Sequence, residues 1–249
     1  MTSARCRSTL KRIRDRAHTW PHRRLLRLIA EQNDAALAKH FSQIEATMAL
    51  HSTLRFRLPL PPMRGWAVSP DFACDLVREI LLRNPKNVLE LGSGVSTLVT
   101  GYALESIGGG RVVSLDHHAE WCALTAERIV EHGLGGVAEV IHAPLTDVAI
   151  GNKVYRWYDI SRLSRENKFD LLVVDGPPGQ LFPMARYPAL PMLVDLLAPG
   201  AVVMLHDSDR PDETVIVQRW QQEYGPFAIE SPQSEKGTKI LRRGSVANP

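Results

Sequence analysis

The residues of this 249-residue chain that could do chemistry stand where apolar runs end in small or acidic side chains. Val88-Leu-Glu-Leu-Gly-Ser-Gly-Val-Ser-Thr97 is an apolar run that passes through a glycine-rich turn into a helix-forming stretch. Gly92 and Gly94 allow a sharp bend and close approach to a ligand, and a helix start offers free N–H groups. Val112-Val-Ser-Leu-Asp116 ends in a carboxylate 24 residues after Gly92. An acid so placed accepts hydrogen bonds from both hydroxyls of a ribose, or caps the next helix. A third run ends in His142-Ala-Pro-Leu145, suited to pack an adenine edge. Two later runs end at Asp175 and at His206-Asp-Ser-Asp209. Carboxylates on neighbouring strand ends suit a hard divalent cation, and histidine suits proton transfer at neutral pH. Asp207 and Asp209 equally suit capping of a helix that starts near Pro211.

The elements that must position these residues follow from hydrophobic pattern. Strands are expected at 87–91, 111–115, 138–142, 169–175 and 201–206, alternating with helices after Val95 and over about 120–132. Ser69-Pro-Asp71 starts a further helix, with a hydroxyl cap, proline in the first turn and an acid near the positive end of the helix dipole. Strands alternating with helices imply parallel pairing through right-handed crossovers, hence a doubly wound, Rossmann-like α/β fold. Segments 227–230 and 238–241 flank a polar stretch and predict an antiparallel hairpin at the sheet edge. Ligands of such a sheet bind outside the carboxyl ends of the strands, where all the residues above fall. Asp170 begins its strand, far from that end, and reads as structural.

Before residue 62 the pattern differs. Leu37, Phe41, Ile44 and Met48 recur at helical spacing and predict an amphipathic N-terminal helix, a contact face for the main domain or for a second copy in a homodimer. The proline-rich segment 55–62 reads as a linker, dividing the chain into an arm over 1–61 and a catalytic domain over 62–249. Residues 1–27 carry nine Arg or Lys against one acid, whereas the rest of the chain carries 21 bases against 26 acids. An acidic main domain disfavours nucleic acid as a partner, and the basic arm suits a membrane surface or a solvated tail. No apolar run approaches the ~20 residues of a spanning helix. Three cysteines without metal-ligand spacing suit a reducing, cytoplasmic setting.

Glu90-Leu-Gly-Ser-Gly94, with acids at 116 and 175 and the closing edge hairpin, resembles the class I S-adenosylmethionine-dependent methyltransferases over about residues 62–242. Trp66 to Asp71, Trp157-Tyr-Asp159 and Val173-Val-Asp-Gly-Pro-Pro-Gly179 are similar to a bacterial group related to small-molecule O-methyltransferases. The resemblance implies an enzyme with S-adenosylmethionine as cofactor and a small-molecule hydroxyl (sugar, phenol or other metabolite) as acceptor. It implies a cofactor site of Glu90, Gly92, Ser93, Gly94, Ser96, Asp116, His117, Ala143, Pro144 and Leu145, with Glu90 at the amino group and Asp116 at the ribose. For catalysis it points to Asp175, His206 and Asp207, and for Mg2+ to Asp175, Asp207 and Ser208. Two departures count against the metal: Ser208 where an asparagine is common, and Pro178 where a lysine is common. They leave open a route in which His206 or Asp175 is the general base. Arg186 or Arg210 could grip an anionic group of the acceptor, and Trp66, Trp157 and Tyr158 could offer it an aromatic face. A nicotinamide dehydrogenase is disfavoured by Thr97, where that fingerprint has glycine. An aminopropyltransferase is disfavoured by Gly176-Pro-Pro178, where it would carry a second acid. An inactive scaffold acting through the basic arm would have no need of the Glu90, Gly92, Gly94 and Asp116 set.

Overall fold

The computed structural model describes residues 3–243, with side chains from residue 24 onward except at 35. All but the last four residues of the basic stretch 1–27 therefore lie outside the described side chains. Two compact units divide between Glu45 and Ala46. The first consists of most of helix α1 (Ser3–Thr53), in which Arg27 and Glu31 pair one turn apart at 2.9 Å. None of the described helices is long and apolar enough to cross a membrane.

In the second unit the last turn of α1 buries Leu50 and Leu54 in the core. The proline-rich segment that follows is fastened to the body of this unit. The backbone N–H of Arg57 donates to the Tyr102 hydroxyl at 3.0 Å, and its guanidinium donates to the His132 carbonyl at 2.7 Å. Helix α2 (Pro70–Arg83) begins with proline and an acid in its first turn as the Ser-Pro-Asp sequence predicts, but the Ser69 hydroxyl does not cap it and donates instead to the Asp71 carboxylate; the helix buries Phe72, Leu76, Val77 and Ile80. Strand and helix then alternate through β1 (Asn87–Leu91), α3 (Val95–Ser106), β2 (Arg111–Asp116), α4 (Ala119–Glu131) and β3 (Ala138–His142). After an excursion the sheet resumes with β6 (Phe169–Val174), the short α5 (Ala189–Leu193) and β7 (Leu197–His206), then closes with α6 (Pro211–Tyr224), β8 (Phe227–Glu230) and β9 (Thr238–Arg243). The seven-stranded order is β3-β2-β1-β6-β7-β9-β8, parallel except for β9, which runs antiparallel to both neighbours. This is the doubly wound α/β sheet with an antiparallel edge hairpin that the pattern predicts. Its central strands are buried on both faces, so they read as nearly unbroken apolar runs instead of alternating ones.

The excursion is a separate antiparallel hairpin that the hydrophobic pattern did not reveal: β4 (Leu145–Ile150) and β5 (Lys153–Tyr158), turned at Gly151 and Asn152. Leu145 thus opens a strand paired with Tyr158. The signal was present in Ile150-Gly-Asn-Lys153, a two-residue turn of a favoured hairpin type, with Gly151 at a φ of 60°. Asp170 has the structural role expected of it. Its carboxylate accepts the N–H groups of Lys86 and Asn87 at 2.8 and 2.9 Å and so anchors the amino end of β1.

Candidate functional site

Strand order reverses between β1 and β6, and the carboxyl ends of these two neighbours diverge into a crevice. Gly92 leaves β1 with a φ of 94° and lies against β6 so closely that a Cβ there would stand 3.4 Å from the backbone nitrogen of Gly176. Gly94 follows at a φ of 154°, and a Cβ on it would meet nothing within 4 Å. The turn therefore needs glycine at both positions, and beyond Gly94 it borders open space at the head of α3.

Glu90 lies under this turn, fully buried. One carboxylate oxygen, Oε2, accepts the hydroxyls of Thr97 and Ser114, and Thr97 Oγ1 in turn accepts the N–H of Gly94 at 3.1 Å. The other oxygen, Oε1, is buried without a partner. Burial pushes the carboxyl up to about 7, with the hydroxyls of Ser114, Ser96 and Thr97 opposing it. Thr97, which as a sequence feature only argued against a nicotinamide site, thus links the glycine turn to the buried acid, and Ser114 completes the arrangement from β2.

Asp116 ends β2 beside the turn. Its Oδ2 accepts the N–H and hydroxyl of Ser93 at 3.1 and 2.7 Å, and its Oδ1 accepts the His118 N–H at 2.9 Å. The carboxylate thus both organises the turn and holds the approach to α4. His117 is half-buried with Nδ1 3.8 Å from Asp116, and burial draws its pKa down. Ala143 is buried and donates its N–H to the Asp116 carbonyl at 2.7 Å, whereas the Pro144 carbonyl accepts from Asp159 at 2.9 Å. Ser96 is buried in the first turn of α3. The candidate cofactor residues therefore gather around the ends of β1, β2 and β3.

On the other side of the crevice, Asp175, His206 and Asp207 converge, with candidate ligand atoms within 4.8 Å of one another. His206 Nδ1 is 2.7 Å from Asp175 Oδ1, and its ring packs on Phe72 with centroids 4.5 Å apart. Its Nε2 is buried without a partner. Asp207 adopts a φ of 58°, a left-handed conformation that aspartate tolerates better than most residues and that is found preferentially where a side chain must be aimed. Ser208, next in the chain, is buried with an unpartnered hydroxyl.

Arg186 departs from expectation. Only 2% of its side chain is exposed, so it does not reach out to grip an acceptor. Its guanidinium donates to the carbonyls of His206 and Asp175 at 2.7 and 2.6 Å and to Asp207 Oδ2 at 2.8 Å, and it stands 3.5 Å from Asp175 Oδ1. Arg210 adds a second cation 3.0 Å from Asp207 Oδ2. Burial alone would raise the Asp175 pKa, but His206 and Arg186 outweigh it and hold the group below the usual carboxylate range. Buried Glu213, 3.8 Å from Arg186 Nε, is pushed up by burial instead. Gly65, Trp66, Asp175, Pro178, Arg186, Asp207, Arg210 and Lys236 line a cleft at this cluster, and Lys236 closes one side by donating to the carbonyls of Gly65 and Ala67, both at 2.8 Å. Trp66 is 71% exposed at the cleft, whereas Trp157 is fully buried in the core and offers no face to a ligand.

Residues 89–208 match the family described as Methyltransferase domain. No curated protein matches the sequence. Among solved structures the chain is similar to an O-methyltransferase from Bacillus cereus in complex with SAH, at 16% identity and a TM-score of 0.55, over 81% of this chain and 90% of that one. It is similar to a SAH-bound methyltransferase from Podospora anserina, at 16% identity and a TM-score of 0.56, over 81% and 87%. A third likeness is to the O-methyltransferase TomG from Streptomyces achromogenes in complex with SAM, at 22% identity and a TM-score of 0.52, over 81% and 89%. At these identities the likenesses establish the fold.

The buried guanidinium makes a prediction of its own. Arg186→Met leaves Asp175, Asp207 and Glu213 facing one another in a poorly hydrated site, at an expected cost of about 3–5 kcal/mol at pH 8. Without the cation the folded-state pKa values rise above their unfolded values, so the deficit shrinks as pH falls toward 5.5. Urea unfolding at the two pH values checks this, and a deficit that is small or independent of pH would contradict it.

Proposed function

We propose that this chain, whose residues 89–208 match the family described as Methyltransferase domain, is a class I S-adenosylmethionine-dependent O-methyltransferase whose acceptor is the hydroxyl of a small molecule held in the cleft beside Asp175. The observation that carries this reading is the distribution of buried polar atoms without partners. Of the six such atoms among the described residues, Glu90 Oε1 and Tyr158 OH stand beside the glycine turn, His206 Nε2 and Ser208 Oγ lie at the end of β7, and Thr100 Oγ1 and Trp157 Nε1 lie within the fold. Leaving such groups unsatisfied is costly, and a bound polar ligand relieves that cost.

The residues present fit S-adenosylmethionine. Glu90 offers an unpartnered carboxylate oxygen for the amino group, Gly92 and Gly94 leave room for the chain of the ligand, and Asp116 stands at the ribose position. When bound, this group supplies an electrophilic methyl on a sulfonium. The protein then has to exclude water and to place and activate the nucleophile. Asp175 lines the cleft and accepts the hydroxyl proton, and His206 holds it from behind through Nδ1. His206 is thus a positioning residue, since its ring is turned toward Phe72 and away from the cleft. Trp66 and Lys236 form the acceptor-side wall, and the Lys236 ammonium, which also acts on Asp175, favours an acceptor with anionic character.

The same carboxylates fit a divalent cation poorly. Asp207 Oδ2 is within 3.0 Å of two guanidinium groups, and Asp175 Oδ1 is engaged by His206. We assign to Arg186 the charge-balancing role that an ion would fill between two acids. Turnover, followed as SAH released over a panel of phenols, sugars and hydroxy acids, is accordingly expected to be unchanged by chelator. Loss with chelator and recovery with Mg2+ would contradict the assignment.

Cofactor binding carries a pH signature. In the free protein Glu90 titrates at about 7. A cationic amino group against Oε1 stabilises the charged carboxylate and lowers that value, so binding releases a proton below pH 7. Affinity for SAH is expected to rise roughly tenfold between pH 6 and 7.5 by calorimetry. The Glu90→Gln variant is expected to bind weakly and to lose the slope. Absence of binding by the folded protein would contradict the reading as a whole.

A further inference from the structure

Tyr158 is the last residue of β5, in the hairpin inserted between β3 and β6. Only 1% of the residue is exposed, and its hydroxyl is buried with no hydrogen-bond partner. A phenol in such a position usually finds a partner, because a buried hydroxyl that has left water and gained nothing destabilises the fold. The chain nevertheless makes space for it. Gly176, the second residue past β6, is approached so closely by the Tyr158 hydroxyl that a methyl group on Gly176 would collide with it. Gly176 is also the residue whose backbone nitrogen abuts Gly92. The hydroxyl therefore sits at the junction of β1 and β6, where the strand order reverses.

The surrounding charges place it further. Burial raises the phenol well above its ordinary pKa, and the carboxylates of Asp116, Asp175 and Glu90 raise it further, with the Arg186 guanidinium opposing. Three acids from three different strand ends thus act electrostatically on this one hydroxyl. It stays protonated, a donor with nothing to donate to. The His117 ring meets the tyrosine edge-on, with centroids 6.2 Å apart, and completes a wall beside Asp116.

We infer that Tyr158 is a cofactor-binding residue, its hydroxyl donating a hydrogen bond to an oxygen of the S-adenosylmethionine seated over the junction of β1 and β6. This rests on the cofactor reading given above. The inserted hairpin thereby carries one donor into a site otherwise built from the main sheet. Tyr158 differs in this from its neighbour Trp157, which is core, and from Trp66, which faces the cleft.

The test is Tyr158→Phe, which keeps the ring and its packing and removes only the oxygen. Calorimetric titration with SAH and with adenosine, and thermal unfolding of the free protein, are compared with wild type. The free variant is expected to unfold at the same or a higher temperature, because an unsatisfied hydroxyl has been removed. Its affinity for SAH is expected to fall about tenfold. An equal fall for adenosine puts the accepting oxygen on the ribose, and a fall for SAH alone puts it on the methionine carboxylate. Either supports the inference. An unchanged SAH affinity in the variant, with normal binding by wild type, overturns it, as does a loss of thermal stability with affinity retained, the mark of a structural role. Failure of the wild type to bind SAH is a distinct result, which overturns the cofactor reading and this inference together.

Discussion

The close approach of Gly92 to Gly176 is the constraint on which the site depends. β1 and β6 are neighbours in the sheet, yet the chain leaves them toward opposite sides, so their carboxyl ends must part without side chains filling the gap. A Cβ on Gly92 would press on the backbone of Gly176, and one on Gly176 would strike Tyr158. With neither present, Glu90, Asp116, Tyr158 and Asp175 can surround one crevice although they come from four strand ends far apart in sequence.

Two kinds of polar group meet there, and their different states of satisfaction divide the labour. On the acceptor side, the charges of Asp175, Asp207, Arg186 and Arg210 already compensate one another, so the charged part of this half is preformed, while His206 Nε2 and Ser208 Oγ stay unpartnered. Such pairing holds the Asp175 carboxylate charged and fixed in direction, at the expense of making it a weaker base. On the cofactor side, Glu90 and Tyr158 retain unpartnered oxygens. One half is rigid and balanced before any ligand arrives, and the other is left incomplete in a way that a ligand with an amino group and oxygen acceptors completes. Incomplete hydrogen bonding costs stability in the free chain, and this cost is what favours the bound state.

Much of this was legible in the sequence because a buried parallel strand writes itself as an apolar run, and its end is marked by the first small or acidic residue. Glu90, Gly92, Asp116, Asp175 and Asp207 were found this way. The inserted hairpin was not, because β4 holds only exposed and half-buried residues and β5 mixes exposed residues with buried aromatics, so both lack the unbroken apolar signature of the central strands. Arg186 was seen, but its partners were not. They lie on the ends of β6 and β7, and only the closed sheet brings those ends to one guanidinium. His206 was recognised as a titratable group beside Asp175, while its orientation toward Phe72, which decides whether it faces the acceptor or stands behind the acid, depends on α2. Tyr158 and Trp157 are adjacent in sequence and alike in type. Which of them reaches the crevice depends on which face of β5 each occupies, and strand parity could be assigned only once the strand itself was known.

The central claim is that the unsatisfied oxygens on β1 and β5 are partners held ready for the cofactor, and a crystal structure of the protein grown with SAH tests it most directly. The account predicts the ligand against the outer side of the Gly92–Gly94 turn, where Gly94 borders open space, with its amino nitrogen at Glu90 Oε1, one of its oxygens at the Tyr158 hydroxyl, and Arg186 unmoved between Asp175 and Asp207. A ligand bound elsewhere, or bound here with Glu90 Oε1 and Tyr158 still unpartnered, would contradict it.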